Sequence, residues 1–346
     1  MAARRKLVAA LERDLKDNPN VPGEAISVRA PGLDVTAAVG HADVDAGKPL
    51  SATTPFRIAS VTKTFVAVAV LRLVEEQKVE LDAPVADDIS PESAAILTSG
   101  GYAPDDITVR ELLNHTSGLF DYAVSEEYDQ INTDDPGRHW TRAEQLQFAV
   151  DHGTPVGAPG EKYRYSDTGY VLLGEILERS TGQSLPTAVR SLIDFTKLGL
   201  DHTYWEDLEP TPAGTKARAH QYYDDAYDNI DLDASADLYG GGGLVSTVGD
   251  LTRFYRALFH GGIFHDDATL RTMTEVSKPG KDHGAAMGVF AVDVDGEQCF
   301  SHPGYWGTET TYCPSLDLTF ARTTNQADDT DFDSGPVEHV VADLAR

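Results

Sequence analysis

The sequence predicts an α+β fold. Three observations carry the prediction: strand-like segments cluster at both ends of the 346-residue chain, helical patterns fill the middle, and one helical run is apolar on every side. In order, Leu7, Val8, Leu11 and Leu15 recur at helical spacing, which predicts an amphipathic packing helix; the segment has basic residues but lacks the apolar core of a signal peptide. Residues 24–30 and 34–44 read as two strands joined by Pro31-Gly32, and residues 55–58 as a third short strand. The run 64–76 is the all-apolar helix, and a helix of that kind is buried. Further helices are expected over 109–114, 142–152, 168–181, 185–193 and 247–260. The stretches 123–140 and 222–237 are acidic, turn-rich loops. Strands resume at 288–294, 297–301, 308–313 and 318–324, and residues 337–346 close the chain as a helix.

This pattern places an antiparallel sheet, built from both chain ends and packed with helices, beside a mostly helical lobe. The expected division is 1–62 with 263–346 for the sheet lobe and 63–262 for the helical lobe. They form one catalytic unit with the site between them, where ligand sites tend to lie. There are no repeats or low-complexity linkers.

Net charge is −28, from 28 basic and 56 acidic residues. Nucleic acid and anionic membrane surfaces are therefore disfavoured as partners. No stretch of 18 apolar residues could span a membrane. A cytoplasmic location is the default expectation, and a secreted mature form stays open. Only 10 of the basic residues are lysine. The excess of aspartate fits either salt adaptation, in which screening relieves self-repulsion, or a GC-rich genome. The sequence sets no oligomeric state.

Chemistry is suggested first by Ser60-Val61-Thr62-Lys63. A serine and a lysine three apart share one helix face, so the amine can reach the hydroxyl. Serine needs such a base to become a nucleophile, and lysine serves only where its surroundings favour the neutral amine. Phe65 to Leu71 supply a dry setting, and the helix N-terminus favours developing negative charge. Alone, this spacing recurs by chance and describes an ordinary first turn, with Ser60 as N-cap. Two later motifs change that: Tyr165-Ser166-Asp167, ahead of the apolar run 171–177, and His302-Pro303-Gly304, among the C-terminal strands.

In this order the three motifs resemble those of the serine penicillin-recognising hydrolases. That family spans class C β-lactamases, D-Ala-D-Ala carboxypeptidases, D-aminopeptidases and amidases, and esterases. Leu112-Leu113-Asn114-His115-Thr116-Ser117-Gly118-Leu119 and the segment 240–250 are similar to two more of its conserved stretches. The look is closest to the Streptomyces-type D-Ala-D-Ala carboxypeptidase branch, through Phe120-Asp121-Tyr122 and Ala321 to Asn325. The resemblance implies the β-lactamase/transpeptidase-like fold. It also implies roles: Ser60 as nucleophile, Lys63 as base or proton relay, and Tyr165 as the group exchanging protons with Ser60 and the leaving group. His302 would line the site to stabilise charge or contact a substrate carboxylate. The backbone amides of Ser60 and Tyr305 would form the oxyanion hole, and Asp167, Gly304, Phe120 and Trp306 would contact substrate. Tyr305 and Trp306 could equally pack a hairpin, and a lone histidine is more often structural.

Position 167 departs from the family, which usually has asparagine there. An aspartate beside Lys63 favours the charged lysine, which weakens it as a base and shifts the burden to Tyr165. It could alternatively pair with a cationic substrate group. Cys299 and Cys313 flank His302 on two strands expected to form a hairpin. A cross-strand disulfide is geometrically possible, yet two cysteines make no disulfide framework, so two buried free thiols are expected. His115, His220, His260, His265 and His283 lack metal-ligand spacing, and the run Gly240 to Gly243 lacks the G-K-[ST] of a phosphate loop, so neither metal nor cofactor is expected.

The sequence therefore points to a serine hydrolase working through an acyl-enzyme on amide bonds of D-amino-acid-containing peptides, with a small-molecule or peptide substrate. A carboxylesterase is the alternative and a β-lactamase the next, since class C enzymes usually carry lysine in the third motif. A non-catalytic module that kept the fold comes last.

Overall fold

The computed structural model describes residues 1–223, 227–327 and 335–346. Its main sheet has seven strands: β1 (Gly23–Ala30), β2 (Leu33–Asp43), β3 (Lys48–Pro49), β7 (Phe290–Val294), β8 (Glu297–Gly304), β9 (Thr308–Cys313) and β10 (Leu318–Thr323). Their spatial order is β3-β2-β1-β10-β9-β8-β7 and every pairing is antiparallel. Two chain ends thus meet in mid-sheet, where Ala25 faces Thr323 and Val28 faces Phe320. A small second sheet joins β4 (Phe56–Arg57), β5 (Tyr204–Trp205) and β6 (Leu244–Ser246), with β6 central.

Twelve α-helices occur among the described residues. They are α1 (Ala2–Asp17), α2 (Thr62–Glu75), α3 (Pro91–Ser99), α4 (Val109–Leu113), α5 (Glu126–Asp134), α6 (Arg142–His152), α7 (Asp167–Thr181), α8 (Leu185–Ile193), α9 (Phe195–Leu198), α10 (Val248–Phe259), α11 (Asp267–Thr274) and α12 (Gly335–Ala345). Helices α1 and α12 cover one face of the sheet, where Leu7, Leu11 and Val341 pack with Ile26, Val28 and Phe320. Helix α10 lies along β1, β9 and β10, and α2 packs on α7 and α8 in the larger core. As its composition requires, α2 is buried on all sides from Thr62 to Leu73.

Two expectations need correcting. The stretch 123–140 is not a loop throughout, because it contains α5. Glu126, Glu127 and Asp129 in its first turn suit the positive helix end. Tyr128 anchors it against Tyr122, Trp140 and Phe148, with ring centroids 4.5–5.2 Å away. Nor are the cysteines free thiols: Cys299 and Cys313 form a disulfide. The β8–β9 register pairs Phe300 with Tyr312, which sets the two cysteines opposite each other with Cα atoms 4.2 Å apart. Closing a loop of about 15 residues stabilises by about 3 kcal/mol. Of the expected loop 222–237, residues 224–226 lie outside the described residues. No described helix is long and apolar enough to cross a membrane.

Candidate active site

Ser60 sits in a 3₁₀ turn, Ala59–Val61, that runs directly into α2. The turn is reached through Ala59 at φ +44°, a left-handed conformation that a side chain disfavours. Backbone strain is therefore stored one residue before the hydroxyl. Ser60 does not cap α2; no side chain does. The positive end of the helix is left facing the serine.

Lys63 is fully buried one turn later. Its Nζ donates to Ser60 Oγ at 3.0 Å, to the carbonyl of Gly241 at 2.8 Å and to the Asp167 carboxylate. Three acceptors take up all the protons that an ammonium can donate. Asp167 opens α7, where Ser166 caps the helix through Gly169 N–H. Gly241 is glycine for a spatial reason: a Cβ there would come within 2.7 Å of Asp167 Oδ1.

Tyr165 stands on the other side of Ser60, with the two side chains hydrogen-bonded. Burial and the charge of Asp167 hold its phenol well above the ordinary tyrosine range, so it is a neutral donor at rest. Its ring stacks on His115, centroids 4.4 Å apart, and His115 Nδ1 accepts from Ser166 N–H at 3.2 Å. Burial, then Lys63, keep His115 uncharged. The Leu112 to Leu119 segment thereby serves to seat the tyrosine motif.

His302 approaches from β8. Its Nδ1 donates to the carbonyl of Pro303 at 2.7 Å, and its Nε2 has no partner among the described residues. Burial, reinforced by Lys63, lowers its pKa to about 3. A neutral imidazole with a bare Nε2 accepts a hydrogen bond and brings no cation. Gly304 lets this strand close on the nucleophile, since a Cβ would meet Ile58 O at 2.3 Å.

These groups border a cavity of about 590 Å³. Ser60, Tyr165, Asp167, His302, Gly304, Tyr305 and Trp306 all line it, with Lys63 directly behind Ser60. Trp306 also packs on Ala59 and Ala327. Phe120 does not line the cavity; its ring lies against Gly153 and its carbonyl accepts from Thr168 Oγ1 at 2.7 Å. Lining residues to which the sequence gave no role include Asp121, Tyr163, Tyr223, Asp237 and Phe290. Asp121 had a signal, because it stands in the Phe120-Asp121-Tyr122 stretch noted in the sequence; its Oδ1 accepts from the amides of Ala123 and Asp167, both at 3.1 Å. Burial and the neighbouring Asp167 raise Asp121 to about 8 and Asp237 to about 6. Among the described residues no group of three or more His, Cys, Asp or Glu could hold a metal ion.

The family model described as Beta-lactamase matches residues 8–342. The chain belongs to this β-lactamase family. Esterase EstB of Burkholderia gladioli is 37% identical over 194 residues, covering 54% of this chain and 48% of that protein. The chain thus spans about half the length of that curated relative. A D-stereospecific amidohydrolase from Streptomyces sp. has a TM-score of 0.80 at 26% identity, covering 95% of this chain and 97% of that one. D-amino acid amidase from Ochrobactrum anthropi SV3, complexed with L-phenylalanine, gives 0.78 at 26% identity, covering 100% of this chain and 97% of that one. These β-lactamase-family relatives are serine hydrolases, and the solved ones share the β-lactamase/transpeptidase-like fold.

Proposed function

We propose that the chain hydrolyses amide bonds of D-amino-acid residues through an acyl-enzyme on Ser60. One observation carries the reading: Lys63 Nζ lies 3.0 Å from Ser60 Oγ, with Tyr165 hydrogen-bonded to the same serine from another element. In the reactive state Lys63 is neutral and takes the serine proton as Oγ attacks the carbonyl. The backbone amides of Ser60 and Tyr305 receive the oxyanion. Tyr165 passes its proton to the departing nitrogen and recovers one from Lys63, which holds the proton taken from Ser60. Water then attacks the ester and releases the acid.

Similarity to the two D-specific amide hydrolases supports amides over other acyl compounds. The neutral His302 argues against a D-Ala-D-Ala carboxypeptidase, whose substrate ends in a carboxylate that needs a cation. Among the described residues the one arginine lining the cavity, Arg57, is already held by Glu206 at 2.6 Å and by Leu232 O at 2.7 Å. Carboxylesterase is the second reading, favoured by the 37% identity to EstB. A β-lactamase comes after both.

The test is turnover of D- and L-phenylalanine amide and p-nitrophenyl butyrate by wild type and Ser60→Ala. We expect the D-amide to be preferred over the L-amide at least about tenfold, with Ser60→Ala losing about 10⁴-fold or more. Ser60-dependent ester turnover without any D-amide turnover makes the protein a carboxylesterase. Activity surviving in Ser60→Ala overturns the acyl-enzyme.

A further inference from the structure

The cavity is far more acidic than serine chemistry requires. Among the described residues six carboxylates line it: Asp121, Asp129, Asp167, Glu206, Asp233 and Asp237. Lys63 answers Asp167, and Arg57 answers Glu206. Ser235 and His139 occupy Asp233. Asp121, Asp129 and Asp237 remain; Asp129 is exposed, while Asp121 and Asp237 lie beside Asp167 and share the charge of Lys63 with it. Asp121 is 1% exposed and its Oδ2 has no hydrogen-bond partner among the described residues. A second, independent vacancy faces the same space: His302, also 1% exposed, lines the cavity with its acceptor Nε2 unpartnered. Buried polar atoms are ordinarily paired, and leaving one bare costs about 1–3 kcal/mol. His302 Nε2 is an acceptor, and Asp121, held at about 8 while its surroundings lack a further cation, becomes a charged acceptor by releasing its proton when one arrives.

We propose that Asp121, Asp237 and His302 Nε2 form a cation subsite that takes an ammonium group of the substrate. This rests on the hydrolase reading above and narrows its substrate class. Preferred acyl donors carry an unblocked amine, as in free amino-acid amides and esters. N-acylated donors lose the charge, and anionic ones, β-lactams included, meet a wall of like charge. An ammonium brings three donors and one positive charge, which matches what the wall lacks. The same subsite explains why Asp167 leaves the acidic balance uncorrected: Lys63 neutralises one carboxylate, and the substrate supplies the next cation.

Direct binding separates this proposal from the hydrolase reading, because it needs no turnover. Benzylammonium, benzyl alcohol and benzoate have one ring and three charges. Their affinities for Ser60→Ala are measured by titration calorimetry at pH 7.5, in about 0.1 M and about 1 M NaCl. We expect benzylammonium to bind at least tenfold tighter than benzyl alcohol, benzoate to show no binding, and the benzylammonium advantage to shrink several-fold in high salt. Asp237→Asn in the same background weakens benzylammonium about tenfold and leaves benzyl alcohol unchanged, its thermal midpoint confirming the fold. Equal affinities for the three, tighter benzoate, or an Asp237→Asn variant that binds benzylammonium as before overturns the subsite. Absent D-amide turnover together with selective benzylammonium binding retires the amidase reading and leaves the subsite standing.

Discussion

Lys63 Nζ gives hydrogen bonds to Ser60 Oγ, the Gly241 carbonyl and the Asp167 carboxylate, yet acylation requires it as a base. Asp167 is the charged one of these three acceptors, and an asparagine of the same shape offers only a dipole. We therefore expect Asp167→Asn to change kcat/KM by about tenfold or more. An unchanged kcat/KM would mean that Asp167 does not govern Lys63. Ser60 and Lys63 were legible because their contact needs only a three-residue spacing, whereas Tyr165 was named through the order of motifs that the family resemblance supplies. His302 was legible as a position and not as a charge state. Its tautomer is set by the carbonyl of Pro303 and its neutrality by burial, which spacing alone does not reveal. Asp237 escaped notice for a related reason: it reaches the cavity from a 3₁₀ turn, Ala234–Asp237, with no periodic pattern around it.

Among the elements, α1 shows most clearly what packing adds to pattern. Its apolar spacing predicted a packing helix, and Leu7 and Leu11 do pack. Nothing in that spacing predicted its buried polar tie. Asp14 of α1 and Glu24 of β1 share Arg322 of β10, at 3.8 Å and 3.2 Å. Burial lifts Glu24 from 4.5 to about 8, against the pull of Arg322. The folded protein then holds a proton that the unfolded chain releases. Stability from this source is complete below pH 4.5 and falls as pH rises through about 8. Urea midpoints for wild type and Glu24→Gln, taken from pH 5 to 8.5, should show the decline in ΔG reduced by about 2 kcal/mol in the variant. Parallel declines would place the proton elsewhere. The α5 helix was missed because its acidic first turn resembles a solvated loop; what anchors it is Tyr128, through its ring contacts with Trp140 and Phe148 and its hydroxyl's bond to the distant Ala236 carbonyl.

For the whole molecule, the net charge of −28 is a self-repulsion that salt should relieve. Raising NaCl from about 0.1 M to about 1 M shortens the Debye length from about 10 Å to about 3 Å. We expect the thermal midpoint to rise by several degrees; a flat or falling midpoint would trace the aspartates to genome composition. The fold class was readable because strands and helices are segregated along the chain. The β1–β10 pairing that joins its two ends is a long-range contact that no local pattern encodes. That pairing also imposes an order in time. During synthesis the serine and its helix leave the ribosome early, while β8, β9 and β10 emerge near the end. Until β10 arrives, β1 is an open edge exposing its amides to any passing strand. Acquisition of activity is thus a late, all-at-once event, and an arrested chain ending before Leu318 would hold its nucleophile and tyrosine yet invite aggregation in place of turnover.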